Sequence, residues 1–227
     1  MIITRPRDWE RVRAQLADLG ATRVFITGCG ECATIAQTGG EPEVLAAKQR
    51  LEDAGLVVTG WSVGDVTCNA GGQRLEARKH AGEIESADAV LVLACGAGVQ
   101  TVADTITKPV TPGLESVFLG NVVRQGVFEE RCQMCGDCVL DRTAGICPVT
   151  TCPKGLLNGP CGGMWNGMCE VVADLECTHV RIRRRLAEQG RAAKVEPLPP
   201  KDFSKKLKPG KVDIRPDYRG RKAGDAS

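Results

Sequence analysis

The sequence predicts an α/β protein: a small Rossmann-like parallel-sheet domain, then a Cys-rich irregular domain ordered by metal, then a basic tail. Three observations predict it. Apolar segments of strand length alternate with helical patterns through the first half of the chain, the pattern of a parallel sheet with helices on its faces. Eight of the 12 cysteines lie between residues 132 and 177, where no helical or strand period survives. Residues 181–227 carry 15 basic and 6 acidic side chains, whereas residues 1–180 carry 15 and 22. The boundaries fall at 1–128, 129–190 and 191–227.

Taken in order, residues 8–20 place Trp9, Val12, Leu16 and Leu19 at helical spacing, with Gly20 as a stop. Residues 23–27 read as a buried strand. Glu41-Pro42 opens a helix, with Pro at a tolerated first-turn position, that runs to Gly55. Residues 56–63 form a second strand, 73–86 a helix, and 89–95 a third strand that is apolar throughout. A short helix over 99–106 and a fourth strand over 116–122 complete the sheet domain. Between 132 and 177 stand eight Cys, seven Gly and one aromatic, Trp165. With no apolar face to order it, that segment folds on metal or not at all. A helix over 180–189 follows, and after Gly190 the Pro- and Lys-rich chain reads as an extended arm.

Composition excludes several classes. The longest apolar stretch, 89–99, is eleven residues, and a membrane span needs about 20. The amino terminus is charged from Arg5 on and carries no apolar signal core, so a reducing, cytoplasmic setting is expected. Thiols there read as metal ligands or redox groups rather than disulfides. Nucleic acid is not expected as a partner: the basic segment has only Phe203 and Tyr218 to stack on bases.

The four amino-terminal cysteines follow the strands. Cys29 and Cys32 lie in Gly28-Cys-Gly-Glu-Cys32, Cys68 a few residues past the second strand, and Cys95 at the end of the third. In a parallel sheet these positions share the carboxyl edge, where ligands gather, and they make a four-cysteine metal site. The Gly28-to-Ala33 segment also matches the G-x-G-x-x-A dinucleotide fingerprint. That fingerprint must open a helix, however, and Thr38-Gly-Gly-Glu-Pro42 interrupts the chain. Cys68 and Cys95 also admit a reading as small apolar core residues.

Cys132, Cys135 and Cys138 form C-x2-C-x2-C, the run that holds three corners of a 4Fe–4S cube. Cys147, Cys152, Cys161, Cys169 and Cys177 follow at intervals of nine, five, nine, eight and eight. The eight thiolates suffice for two further sites, which spacing does not pair. Zinc is the competing metal, but it usually uses separate C-x2-C knuckles. His80 and His179 read as surface residues, Trp61 and Trp165 as packing residues, and Asp137 and Asp141 as turn formers. No residues are arranged for organic catalysis, so the expected role is electron transfer without a catalytic residue of its own.

The longer motifs carry a resemblance. Gly28-Cys-Gly-Glu-Cys-Ala-Thr34 with Thr38-Gly-Gly-Glu41, Arg131-Cys-Gln-Met-Cys-Gly-Asp-Cys138, residues 145–163 and Cys169-Glu170 are similar to the iron–sulfur small subunit of bacterial methylenetetrahydrofolate reductase. This is the methylenetetrahydrofolate reductase carboxyl-terminal domain family, associated with the acetyl-CoA (Wood–Ljungdahl) pathway. The resemblance spans residues 20–190 and leaves the tail outside. It implies a flavin-binding (β/α)8 catalytic partner subunit, since a barrel needs about 250 residues of its own. It further implies ferredoxin or another electron donor, two or three 4Fe–4S clusters, and zinc as an option at one four-cysteine site. Flavin would sit on the partner only. Two alternatives share the cysteines: an electron-transfer module of a heterodisulfide-reductase-like complex, and a zinc-stabilised interaction module.

Overall fold

The computed structural model describes residues 1–192, 196–206 and 208–212. They form two compact units, Met1–Gln133 and Met134–Ser227.

The first unit is built on a parallel sheet of order β3-β2-β4-β5: β2 (Arg23–Cys29), β3 (Val57–Gly64), β4 (Ala89–Leu93) and β5 (Val110–Pro112). The two central strands are apolar because helices pack against the sheet. Val24, Ile26, Ala89 and Val92 are fully buried, and Phe25, Val90 and Leu91 nearly so. Burying such side chains contributes about 1.5–3 kcal/mol each, enough to hold the sheet without any ligand. Helix α1 (Trp9–Asp18) adds Val12 and Leu16 to this core, and α3 (Glu41–Asp53) adds Val44, Ala47 and Leu51. The Asp8 carboxylate caps α1 by accepting from the Arg11 N–H at 3.1 Å. Glu43 turns back to accept from the Gly40 N–H at 2.9 Å and so fixes the entry to α3.

A second, antiparallel sheet of order β1-β6-β7 joins β1 (Ile2–Pro6), β6 (Leu114–Arg124) and β7 (Val127–Cys132). Residues 116–122 are therefore a strand, as expected, but not the fourth strand of the parallel sheet. That place belongs to the three residues of β5, which continue the ladder beside Val90, Leu91 and Val92. The helix expected over 73–86 is two helices, α4 (Ala70–Lys79) and α5 (Ala81–Glu85), divided at His80. The helix expected from residue 99 begins earlier, as α6 (Gly96–Ala103), so Cys95 caps a helix rather than ending a strand.

The second unit is largely irregular, with a short α7 (Pro148–Thr151) and the longer α8 (Thr178–Glu188). It is not wholly without apolar support: Ala144, Ile146, Ile182 and Leu186 form a small buried cluster. Four side chains contribute too little to order a unit of this length. The arm is not simply extended either. Leu198 is buried, and Asn158 binds it twice, donating to its carbonyl at 2.9 Å and accepting from its N–H at 2.8 Å. Residues 193–195, 207 and 213–227, much of the expected tail, lie outside the described residues.

Candidate metal centres

The first centre sits at the carboxyl edge of the parallel sheet. Parallel pairing brings Cys29 level with Gly64, and Gly28 level with Leu93, so the loops after β2, β3 and β4 start at one edge. Those loops interlock. The Cys29 N–H donates to the Gly39 carbonyl at 2.9 Å, and the Gly30 N–H to the Gly64 carbonyl at 2.7 Å. The buried Thr67 hydroxyl donates to the Gly28 carbonyl at 2.8 Å, and Thr34 to the Cys29 carbonyl at 2.7 Å. A Cβ at Gly28 would stand 2.4 Å from the Gly39 oxygen, and one at Gly39 would stand 2.1 Å from the Leu93 oxygen. Only hydrogen fits where these backbones cross.

This packing brings together all four cysteines that the sequence assigned to the edge. Cys29 is buried, Cys32 and Cys95 are half-buried, Cys68 is exposed, and none is in a disulfide. Their proximity has an electrostatic signature. The Cys68 thiol is held above its ordinary value, first by burial and then by the charges of Cys95, Cys29 and Cys32. Deprotonated together, the four would need a cation to neutralise them, and a metal or cluster supplies one. The residues fit such a group.

In the second unit a pocket is lined by Cys152, Cys161, Cys169 and Cys177. Apolar Leu156, Met164 and Leu175 close its walls. Two narrow turns form the pocket: Trp165 bridges Met168, and Met168 bridges Glu176. The Cys177 N–H donates to the Gly167 carbonyl, and the Cys169 N–H to the Leu175 carbonyl, each at 2.8 Å. The Val171 N–H donates to the Cys169 sulfur at 3.4 Å, the kind of backbone contact that stabilises a coordinated thiolate. Lys154 forms an ion pair with Glu170 beside Cys161, whose sulfur lies 3.6 Å from the Glu170 carboxylate. The spacing of the last eight cysteines left their grouping open, and the pocket groups these four.

The remaining four fall on either side of the unit boundary. Cys132 closes β7 in the first unit, and Cys135, Cys138 and Cys147 belong to the second. A hydrogen bond at the Asp137 backbone holds the Cys135 thiol below its ordinary value. A bond to Lys201 and that residue's positive charge add to the effect, and burial works against it. The Cys147 sulfur lies 3.5 Å from the Thr150 hydroxyl. Among the described residues, no three His, Cys, Asp or Glu side chains are drawn tightly enough around one point to hold a single ion.

Other expectations change. His179 is buried, not on the surface. Its Nε2 lies 3.0 Å from the Leu156 carbonyl, and burial lowers its pKa. His80 is half-exposed, with its Nδ1 2.5 Å from Glu83 and its ring 5.6 Å from that of Phe25. Trp61 packs on the core as expected, but Trp165 is 77% exposed. The helix that follows Cys32, α2 (Cys32–Ile35), is a single turn and does not match the dinucleotide fingerprint. Sequence reading missed Thr67, Gly39, Lys154 and Lys201. Nothing in local spacing marks them, because their partners lie 10 to 64 residues away in the chain.

No helix of the described residues is long and apolar enough to cross a membrane. No curated protein matches the sequence. Residues 111–204 match the family model described as methylene-tetrahydrofolate reductase C terminal, a match that runs past Gly190 into the arm. Over that segment, somewhat less than half of its length, the chain is similar to the methylene-tetrahydrofolate reductase C-terminal family.

Proposed function

We propose that this chain is the iron–sulfur, electron-transfer subunit of a methylenetetrahydrofolate reductase complex. The observation that carries the reading is the gathering of cysteines into two foursomes, one at the sheet edge and one around the pocket of the second unit. The family match supplies the enzyme context. The run Cys132, Cys135 and Cys138 supplies three thiolates of a further centre, by its spacing. When bound, 4Fe–4S clusters would supply one-electron carriers.

This chain's own residues have three tasks. Cys29, Cys32, Cys68 and Cys95 bind at the sheet edge, and the Thr67 and Gly39 contacts fix the loops that carry them. Cys152, Cys161, Cys169 and Cys177 bind in the pocket, whose apolar walls keep water away. The Val171 N–H offsets negative charge on the Cys169 sulfur, and the Lys154 ammonium, paired with Glu170, lies within hydrogen-bonding reach of the Cys161 sulfur. Folate and flavin chemistry then belongs to a partner flavoprotein. Its two-electron reaction is fed singly by this chain, with ferredoxin or another module as donor.

The test uses the full chain and a flavin-binding methylenetetrahydrofolate reductase subunit, combined without oxygen. Addition of dithionite-reduced ferredoxin is expected to bleach the partner's flavin only when this chain is present, and Cys161→Ser is expected to slow that bleaching at least tenfold. Equal bleaching without this chain would overturn the reading.

A further inference from the structure

The arm carries a cation back to the cysteine run. Residues 196–202 cross the second unit as a strap. Arg142 donates to the Pro197 carbonyl at 3.4 Å, Asn158 clasps Leu198 through both backbone groups, and Leu198 is buried. The clasp sets where Lys201 falls. Its ammonium donates to the Asp137 carbonyl and lies within hydrogen-bonding reach of the Cys135 sulfur. The Cys135 sulfur in turn lies 3.6 Å from that same carbonyl.

The geometry points to Lys201 as a positioning residue for the centre held by Cys135: the strap fixes the Cys135–Asp137 turn and keeps a positive charge beside the ligand sulfur. A cation there stabilises the more negative, reduced form of whatever group that sulfur binds, so the group becomes easier to reduce. This rests on the reading of Cys135 as a cluster ligand, but the strap itself does not.

Two measurements on the full chain separate the parts. In the protein as purified without oxygen, hydrogen exchange over residues 134–139 reads the strap. Lys201→Ala is expected to speed it roughly five-fold, the effect of one lost hydrogen bond, and Leu198→Asp to speed it at least as much. In anaerobically purified protein, a redox titration followed by electron paramagnetic resonance reads the charge. Lys201→Gln, which keeps a donor but loses the charge, is expected to move one centre to a more negative midpoint and leave the others in place. Lys201→Arg is expected to restore it. Unchanged exchange in both strap variants would overturn the strap. Unchanged midpoints in Lys201→Gln would overturn the charge role. If the protein holds no iron at all, the electron-transfer reading fails and the exchange arm still decides the strap.

Discussion

Asp88 shows how a single carboxylate ties down the sheet at the end opposite the cysteines. It accepts from the Thr22 and Arg23 N–H groups at 2.9 and 2.8 Å and from the Thr22 hydroxyl at 3.1 Å. The backbone N–H of Thr22 does most to lower its pKa, followed by that of Arg23. A carboxyl whose pKa is depressed by folding contributes stability that is present above its unfolded value, near 3.8, and lost as pH falls through the folded one. Replacing Asp88 by Asn should therefore lower the urea midpoint at neutral pH and flatten the stability loss below about pH 4. A midpoint that falls equally at every pH would show the carboxylate charge to be irrelevant. Nothing local in the sequence marks Asp88 for this role, because its partners lie 65 and 66 positions earlier. His179 was missed for the same reason: a lone histidine looks like surface until its partner, Leu156, 23 residues away, is in place.

At the scale of elements, legibility followed the source of stability. Strands β2 and β4 could be read because central parallel strands are apolar on both faces, which leaves an unbroken local signal, and the edge strand β3 because Val57, Val58 and Val63 still mark it. Strand β5 could not: Val110–Pro112 is three residues, ends in Pro, and exists only because β4 offers it a ladder. Strand β1 begins Ile-Ile-Thr-Arg-Pro, too short and mixed to declare itself, and its partner β6 lies more than a hundred residues away. The carboxyl-edge cysteines were legible because topology alone places them together. The grouping of Cys152, Cys161, Cys169 and Cys177 was not, because it depends on turns that no periodicity encodes. The two elements should respond differently to loss of a thiol. Cys68 sits on loops held by an apolar sheet, so Cys68→Ser should cost the proposed sheet-edge centre while the sheet itself stays folded. On the proposed function, Cys161→Ser removes a ligand where metal binding stands in for a core, worth about 10–16 kcal/mol in small zinc domains. Hydrogen exchange should show the second unit opening while the first stays protected. Global protection in Cys161→Ser, or unfolding of the sheet in Cys68→Ser, would contradict this division.

For the whole molecule, the two units divide the work of folding. One is ordered by apolar burial and carries four of its thiols on loops, and the other has a four-residue apolar cluster and seven cysteines, whose proposed metal binding supplies the rest of its order. The family match runs from β5 through β6, β7 and the Cys-rich segment to the start of the arm, and residues 1–110 lie outside it. The account stands on cysteine thiolates gripping redox-active clusters. Its most direct test is quantification of iron, acid-labile sulfide and zinc in protein purified without oxygen, with paramagnetic resonance of the dithionite-reduced sample. Iron and sulfide in near-equal amounts, about four of each per cluster and at least two clusters per chain, with a signal that appears on reduction, is the predicted result. Near-zero iron, with zinc in its place, would contradict it.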